Sequence, residues 1–160
     1  MRIGIFAVGR LKAGPEKELA ARYLERFAKA GPATGLEFAR TVEIAESRAS
    51  NAATRKREEA AELMKAMPTG SMLVVLDEHG KALDSEQFAD LLGKYRDRGQ
   101  RDLVILIGGA DGVDPDLHGK ADAVLNLGRM TWPHQLVRIL IAEQLYRAVT
   151  ILSGHPYHRA

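Results

Sequence analysis

The 160-residue chain contains no cysteine. Disulfides and thiolate metal sites are thereby excluded, and a reducing cytoplasm is the expected compartment. No apolar run approaches the roughly 20 residues that a membrane-spanning helix needs. Charge of one sign is not in excess either. Lys and Arg number 23 against 21 Asp and Glu, a formal net charge of +2, too little to argue for nucleic acid by itself. Neither a GxGxxG fingerprint nor a Gly-Lys-Ser/Thr phosphate loop is present, which disfavours dinucleotide and ATP sites. The start, Met1 to Gly9, carries one positive charge before a short β-branched run and has no cleavage motif. It reads as a first strand and not as a signal peptide.

What is present is enough for a core. Apolar residues make up 46% of the chain and charged ones 28%, the balance of a soluble globular protein. With no repeat, linker or low-complexity tract, one domain over 1–160 is expected. The charge is uneven along the chain. Arg129, Arg138, Arg147 and Arg159 face a single acid, Glu143, in the last 32 residues. Arg40, Arg48, Arg55, Lys56 and Arg57 stand against Glu43 and Glu46. Such segments suit a localised anionic partner such as RNA phosphate, or are two solvated faces.

Apolar runs and breakers predict strands at Arg2–Val8, Leu36–Ile44, Met72–Leu76, Leu103–Ile107 and Ala123–Leu127. Helices are predicted from Pro15 to about Ala30, over Ser50–Met67, from the Asp84-Ser-Glu-Gln87 capping box to about Arg98, as a short turn over Asp114–Lys120, and from Pro133 to about Leu152. The alternation predicts an α/β fold, a mostly parallel sheet with helices on both faces. Ligands of such sheets bind at the carboxyl ends of the strands. Three glycine-containing segments fall there: 76–81, 108–112 and 128–133. Glycine lets a backbone approach a ligand closely, while Leu76, Ile107, Leu127 and Met130 supply apolar walls for a nucleoside. Plain turns are the other reading of the same glycines. Asp111 and Asp114 lack a third ligand and read as a turn and an N-cap, so no metal site is expected.

Between Leu136 and Val149, ten of fourteen residues are apolar, more than the stripe one sheet face requires. A second protomer would cover the surplus, as would a central place in the core of one chain. Glu143 and Arg147 are spaced to pair along this helix. The chain then ends in His155-Pro156-Tyr157-His158-Arg159, groups that can move protons, stack on bases and grip phosphate. His155, His158 and His134 have no helix or carboxylate to make them a metal site.

Leu-Ile-Gly-Gly-Ala-Asp-Gly at 106–112, Thr-Trp-Pro-His-Gln-Leu-Val-Arg at 131–138, Ile-Ala-Glu-Gln-Leu-Tyr-Arg-Ala at 141–148 and the terminal His-Pro-Tyr-His-Arg resemble the small SPOUT-class methyltransferases. Among them the chain is similar over its whole length to the large-subunit rRNA pseudouridine N3-methyltransferases. The resemblance implies a C-terminal trefoil knot and a homodimer with an active site shared between protomers. It implies S-adenosylmethionine as cofactor, held by Leu76, Gly109, Gly128, Arg129, Met130, Thr131, Trp132 and Pro133. It also implies methyl transfer to N3 of a pseudouridine in helix 69 of 23S rRNA on the ribosome, with neither membrane nor DNA as partner. For that transfer, His158 is the candidate base or proton relay and His134 the second candidate. Arg159 and Arg138 would hold phosphate or uracil carbonyls, and Tyr157 would stack on or orient the base. The alternatives are a SPOUT enzyme acting on a tRNA base or ribose, and a non-catalytic ribosome-binding factor.

Overall fold

Successive side chains of a strand point to opposite faces, and the apolar strands of this chain supply both faces at once. Ile3, Ile5, Ala7, Val74, Leu76, Leu103, Ile105 and Ile107 enter one core; Phe6, Val8, Leu73, Val75, Val104 and Leu106 enter the other. The computed structural model describes residues 1–159. Its order is β1 (Arg2–Val8), α1 (Pro15–Ala30), β2 (Glu37–Ile44), α2 (Ala52–Ala66), β3 (Met72–Ala82), α3 (Ser85–Asp97), β4 (Asp102–Ile107), α4 (Pro115–Lys120), β5 (Ala123–Asn126) and α5 (His134–Leu152), with a 3-10 turn at Gly31–Thr34. The strands form one parallel sheet in the order β2-β1-β4-β3-β5. Helices α1, α3 and α5 cover one face through Phe27, Phe88, Leu92, Ile141 and Leu145, while α2 and α4 cover the other through Leu63 and Leu117.

The caps follow from the sequence. Asp84 and Gln87 exchange both bonds of the capping box, and Asp114 accepts from Asp116 N at 2.9 Å. Strand β3 departs from the sequence pattern. Alternation predicts its end at Leu76, but the chain bulges over 77–80 and rejoins β5 with Lys81 opposite Leu125 and Ala82 opposite Asn126. Gly80 permits this return, since a Cβ there would lie 2.5–2.7 Å from the Leu125 backbone. The run Asp77-Glu-His-Gly80 has no apolar period to announce a strand.

The apolar excess of α5 is largely explained within the chain. The helix packs against both α1 and α3 as well as the sheet, burying Ile141, Ala142, Leu145, Ala148 and Val149. Its first turn stays open, where Leu136 is exposed beside the preceding loop residues Met130 and Trp132, which are exposed too, and Ile139 and Leu140 in the next turn are half-buried.

Candidate functional site

A cleft of about 430 Å³ opens at the carboxyl ends of β3, β4 and β5, within the size range of cofactor sites. Its apolar walls are Leu76, Ile107, Leu125, Leu127 and Val137, and the glycine segment 108–112 and the segment 130–133 form its rim. The three loops singled out from the sequence therefore converge on one cavity. Asn126 ties two of them together: its amide donates to Gly80 O at 2.6 Å and its Oδ1 accepts from Gly128 N at 3.1 Å. The Trp132 indole donates to Leu127 O at 3.2 Å, which folds the 128–133 loop back over the end of β5.

Of the expected cofactor positions, Leu76, Gly109, Gly128, Met130, Thr131, Trp132 and Pro133 line the cleft; Arg129 is exposed and lies outside the lining. The ionisable residues of the lining are Asp77, Glu78, Asp111 and His134, with no lysine or arginine among them. This donor set repels a polyphosphate and suits a nucleoside that carries positive charge, as the sulfonium of S-adenosylmethionine does. Asp77 accepts from His79 N at 2.9 Å and pairs with the His79 ring at 3.0 Å. His118 Nε2 stands 3.2 Å from its other oxygen, out of line for a hydrogen bond. Burial raises the Asp77 carboxyl, but the His79 bonds and the His118 ring outweigh it and leave the group below its ordinary value.

Arg138 differs from the sequence expectation. It is buried, pairs with Glu43 through Nη1, and donates through Nη2 to Val8 O at 2.8 Å and Gly9 O at 2.5 Å. A residue that holds phosphate needs an exposed guanidinium. This one is sealed between α5 and the ends of β1 and β2, so it positions those elements. His134, in contrast, is half-buried in the cleft lining.

The tail residues lie outside their own chain's cleft. Tyr157 donates to Glu143 at 3.0 Å, packs on Tyr146 with ring centroids 4.8 Å apart and lies under Arg147, 4.9 Å from guanidinium to centroid. Burial, and then the Glu143 carboxylate, push its phenol well above the ordinary range. His158 meets Arg147 at 3.3 Å and Glu86 of α3 at 3.5 Å, and Arg159 is exposed. The expected Glu143–Arg147 pair is present at 2.5 Å.

The sequence reading did not anticipate residues of α2 at this site. Arg55 grips Asp111 with two bonds, and Glu59 is buried against Gly109. Nothing in the amphipathic pattern of α2 distinguishes these two from its solvated charges.

A family model described as predicted SPOUT methyltransferase matches residues 1–158. The chain belongs to the SPOUT methyltransferase family. Within that family it is 80% identical to the ribosomal RNA large subunit methyltransferase H of Rhizobium meliloti (strain 1021), over 100% of both chains. The protein of that name from Sinorhizobium fredii (strain NBRC 101917 / NGR234) is 79% identical, again over 100% of both chains. Among solved structures, a probable methylase family protein from Haemophilus influenzae Rd KW20 aligns with a TM-score of 0.51 at 9% identity, covering 99% of this chain and 70% of that one. That likeness concerns the fold. The cofactor of this family is S-adenosylmethionine, and the cleft residues fit it.

Proposed function

We propose that the protein methylates N3 of a pseudouridine in helix 69 of 23S rRNA on the assembled ribosome. It would act in the cytoplasm as a homodimer whose protomers are single domains over 1–160 with the trefoil knot of the family. The observation that carries the reading is the acidic, glycine-rimmed cleft at the ends of β3, β4 and β5, in a chain 80% identical to a relative named for large-subunit rRNA methylation.

The cofactor, when bound, supplies a methyl group on a positively charged sulfur. The chain's residues provide the rest. Backbone groups of 108–109 and 128–133 take the polar edges of the nucleoside, and Leu76, Ile107 and Leu127 exclude water around it. The imide N3–H of the base is weakly acidic, so transfer requires its proton to be taken or the developing anion to be stabilised. His158 is the proposed base or relay, and His134 is the alternative already in the cleft. Arg159 holds phosphate or a carbonyl, and Tyr157 fixes the tail that presents both.

The tail's position on α5 and α3, away from its own cleft, supports service to a partner's cleft. The exposed Met130, Trp132 and Leu136 beside the cleft supply an apolar seat for that partner.

Mass spectrometry of rRNA nucleosides from a deletion strain, with and without this protein restored, tests the reading. Restoration of an N3-methylated pseudouridine in large-subunit rRNA is expected. A methyl group returning to a tRNA nucleoside, or to none, overturns it.

A further inference from the structure

The loop between β4 and α4 has an inherent problem. Three of its seven residues, 108–114, are glycine, Gly108, Gly109 and Gly112, and the last has φ +83°. Such a segment loses more backbone freedom on ordering than any other, yet it forms one rim of the cleft. Its own backbone gives it a single turn, Gly112 N to Gly109 O at 3.0 Å.

The other restraint comes from α2. Arg55 donates to Asp111 through Nε at 2.6 Å and Nη2 at 3.1 Å, a two-pronged grip on the only charged side chain of 108–112. Its remaining nitrogen, Nη1, donates to Ala49 O at 3.0 Å. One turn further along the same helix face, Glu59 is buried. Its Oε1 accepts from Ser47 N at 2.9 Å, and its Oε2 stands where a Cβ on Gly109 would come within 3.3 Å. Two side chains four residues apart thus join the glycine loop to the segment that follows β2.

We propose that Arg55 is a positioning residue for the cofactor. It holds the 108–112 loop in its binding shape before the cofactor arrives, so the ordering cost is not charged against affinity. The pair is partly exposed, 28% and 32% for the two side chains, and exposed pairs contribute little to global stability. Its effect is therefore local. The inference rests on this cleft being the S-adenosylmethionine site. Calorimetric binding of that molecule to the parent protein tests the cleft itself, while differences among variants test the strut.

The experiment is a double-mutant cycle on the full chain with S-adenosylmethionine as probe, using Arg55→Ala, Asp111→Asn and the pair. Arg55→Lys keeps the charge but only one prong, and covers the case of poor folding. Each single variant is expected to weaken Kd about fivefold, the upper limit of what a partly exposed ion pair supplies. The double variant should be no weaker than either single one. KM for the cofactor should rise with kcat nearly unchanged. Amide exchange over 106–114 of the cofactor-free Arg55→Ala protein should accelerate while its Tm stays close to the parent's. Affinities within twofold of the parent overturn the proposal. So do additive losses, which would mean that Asp111 touches the cofactor directly, and so does unchanged exchange in the loop.

Discussion

The Tyr157 hydroxyl donates to the Glu143 carboxylate at 3.0 Å across fourteen residues of sequence. This bond returns the chain's end to the middle of the helix it has just left. Tyr157→Phe removes it while keeping the ring on Tyr146 and Arg147. Exchange protection of 155–159 should fall, and methyl transfer should drop about tenfold at unchanged cofactor Kd, the loss of one hydrogen bond to a charged acceptor. An absorbance titration gives a second check. The Tyr157 phenol is raised by burial and by Glu143, so the substitution should leave the amplitude near pH 10, the ordinary tyrosine range, unchanged.

Arg138 is expected to behave as a structural cation. Its removal leaves Glu43 without its cation, held only by the Leu11 amide at 3.1 Å, and frees the carbonyls of Val8 and Gly9. Breaking a buried pair costs about 3–5 kcal/mol, which for a chain of this length is about 6–20 °C in Tm. Scanning calorimetry of Arg138→Ala measures it. An unchanged Tm with weaker RNA binding would return Arg138 to the role its sequence position suggests.

Trp132 is the only tryptophan of the chain and lines the cleft. Its emission should shift on titration with S-adenosylmethionine, and the Trp132→Phe protein should bind without a signal. Calorimetric binding with no change in the parent's emission would place the cofactor away from this loop.

Glu59 provides the pH test. Burial, ahead of the other influences, raises its carboxyl above the ordinary value. The folded chain therefore holds this proton more tightly than the unfolded one. The sign is a penalty present at neutral pH and relieved as pH falls through the raised value. Glu59→Gln should melt at the parent's temperature or higher at pH 7, by about 2–4 °C for each kcal/mol relieved. The gap should close as pH falls through the raised value. A large loss of Tm at pH 7 would show that the charge itself is needed there.

Period and punctuation made most of the fold legible. Apolar strands of five or more residues, Pro15 and the Asp84–Gln87 box each state a local preference that the packing then uses. The continuation of β3 through Ala82 was not legible, because Gly80 acts through close approach to Leu125, a contact with no local signature. The cleft was legible because strand ends and glycines coincide at Gly109 and Gly128. Arg55 and Glu59 were hidden among the other charges of α2, and the burial of Arg138 was not legible because a charged residue in a basic segment reads as exposed. The width of the apolar face on α5 said that something covers it, and α1 and α3 supply most of that cover.

Helix α5 touches the cleft with Val137 and carries the tail's anchor at Glu143, six residues later. At 1.5 Å per residue the two are about 9 Å apart along one rigid axis. The helix is thus a ruler between the pocket and the chain's end. Its length and winding are fixed quantities in a way that no loop could match. Inserting one residue between 137 and 143 would rotate the anchor by about 100° and put the tail on another side of the rod, with both ends still intact.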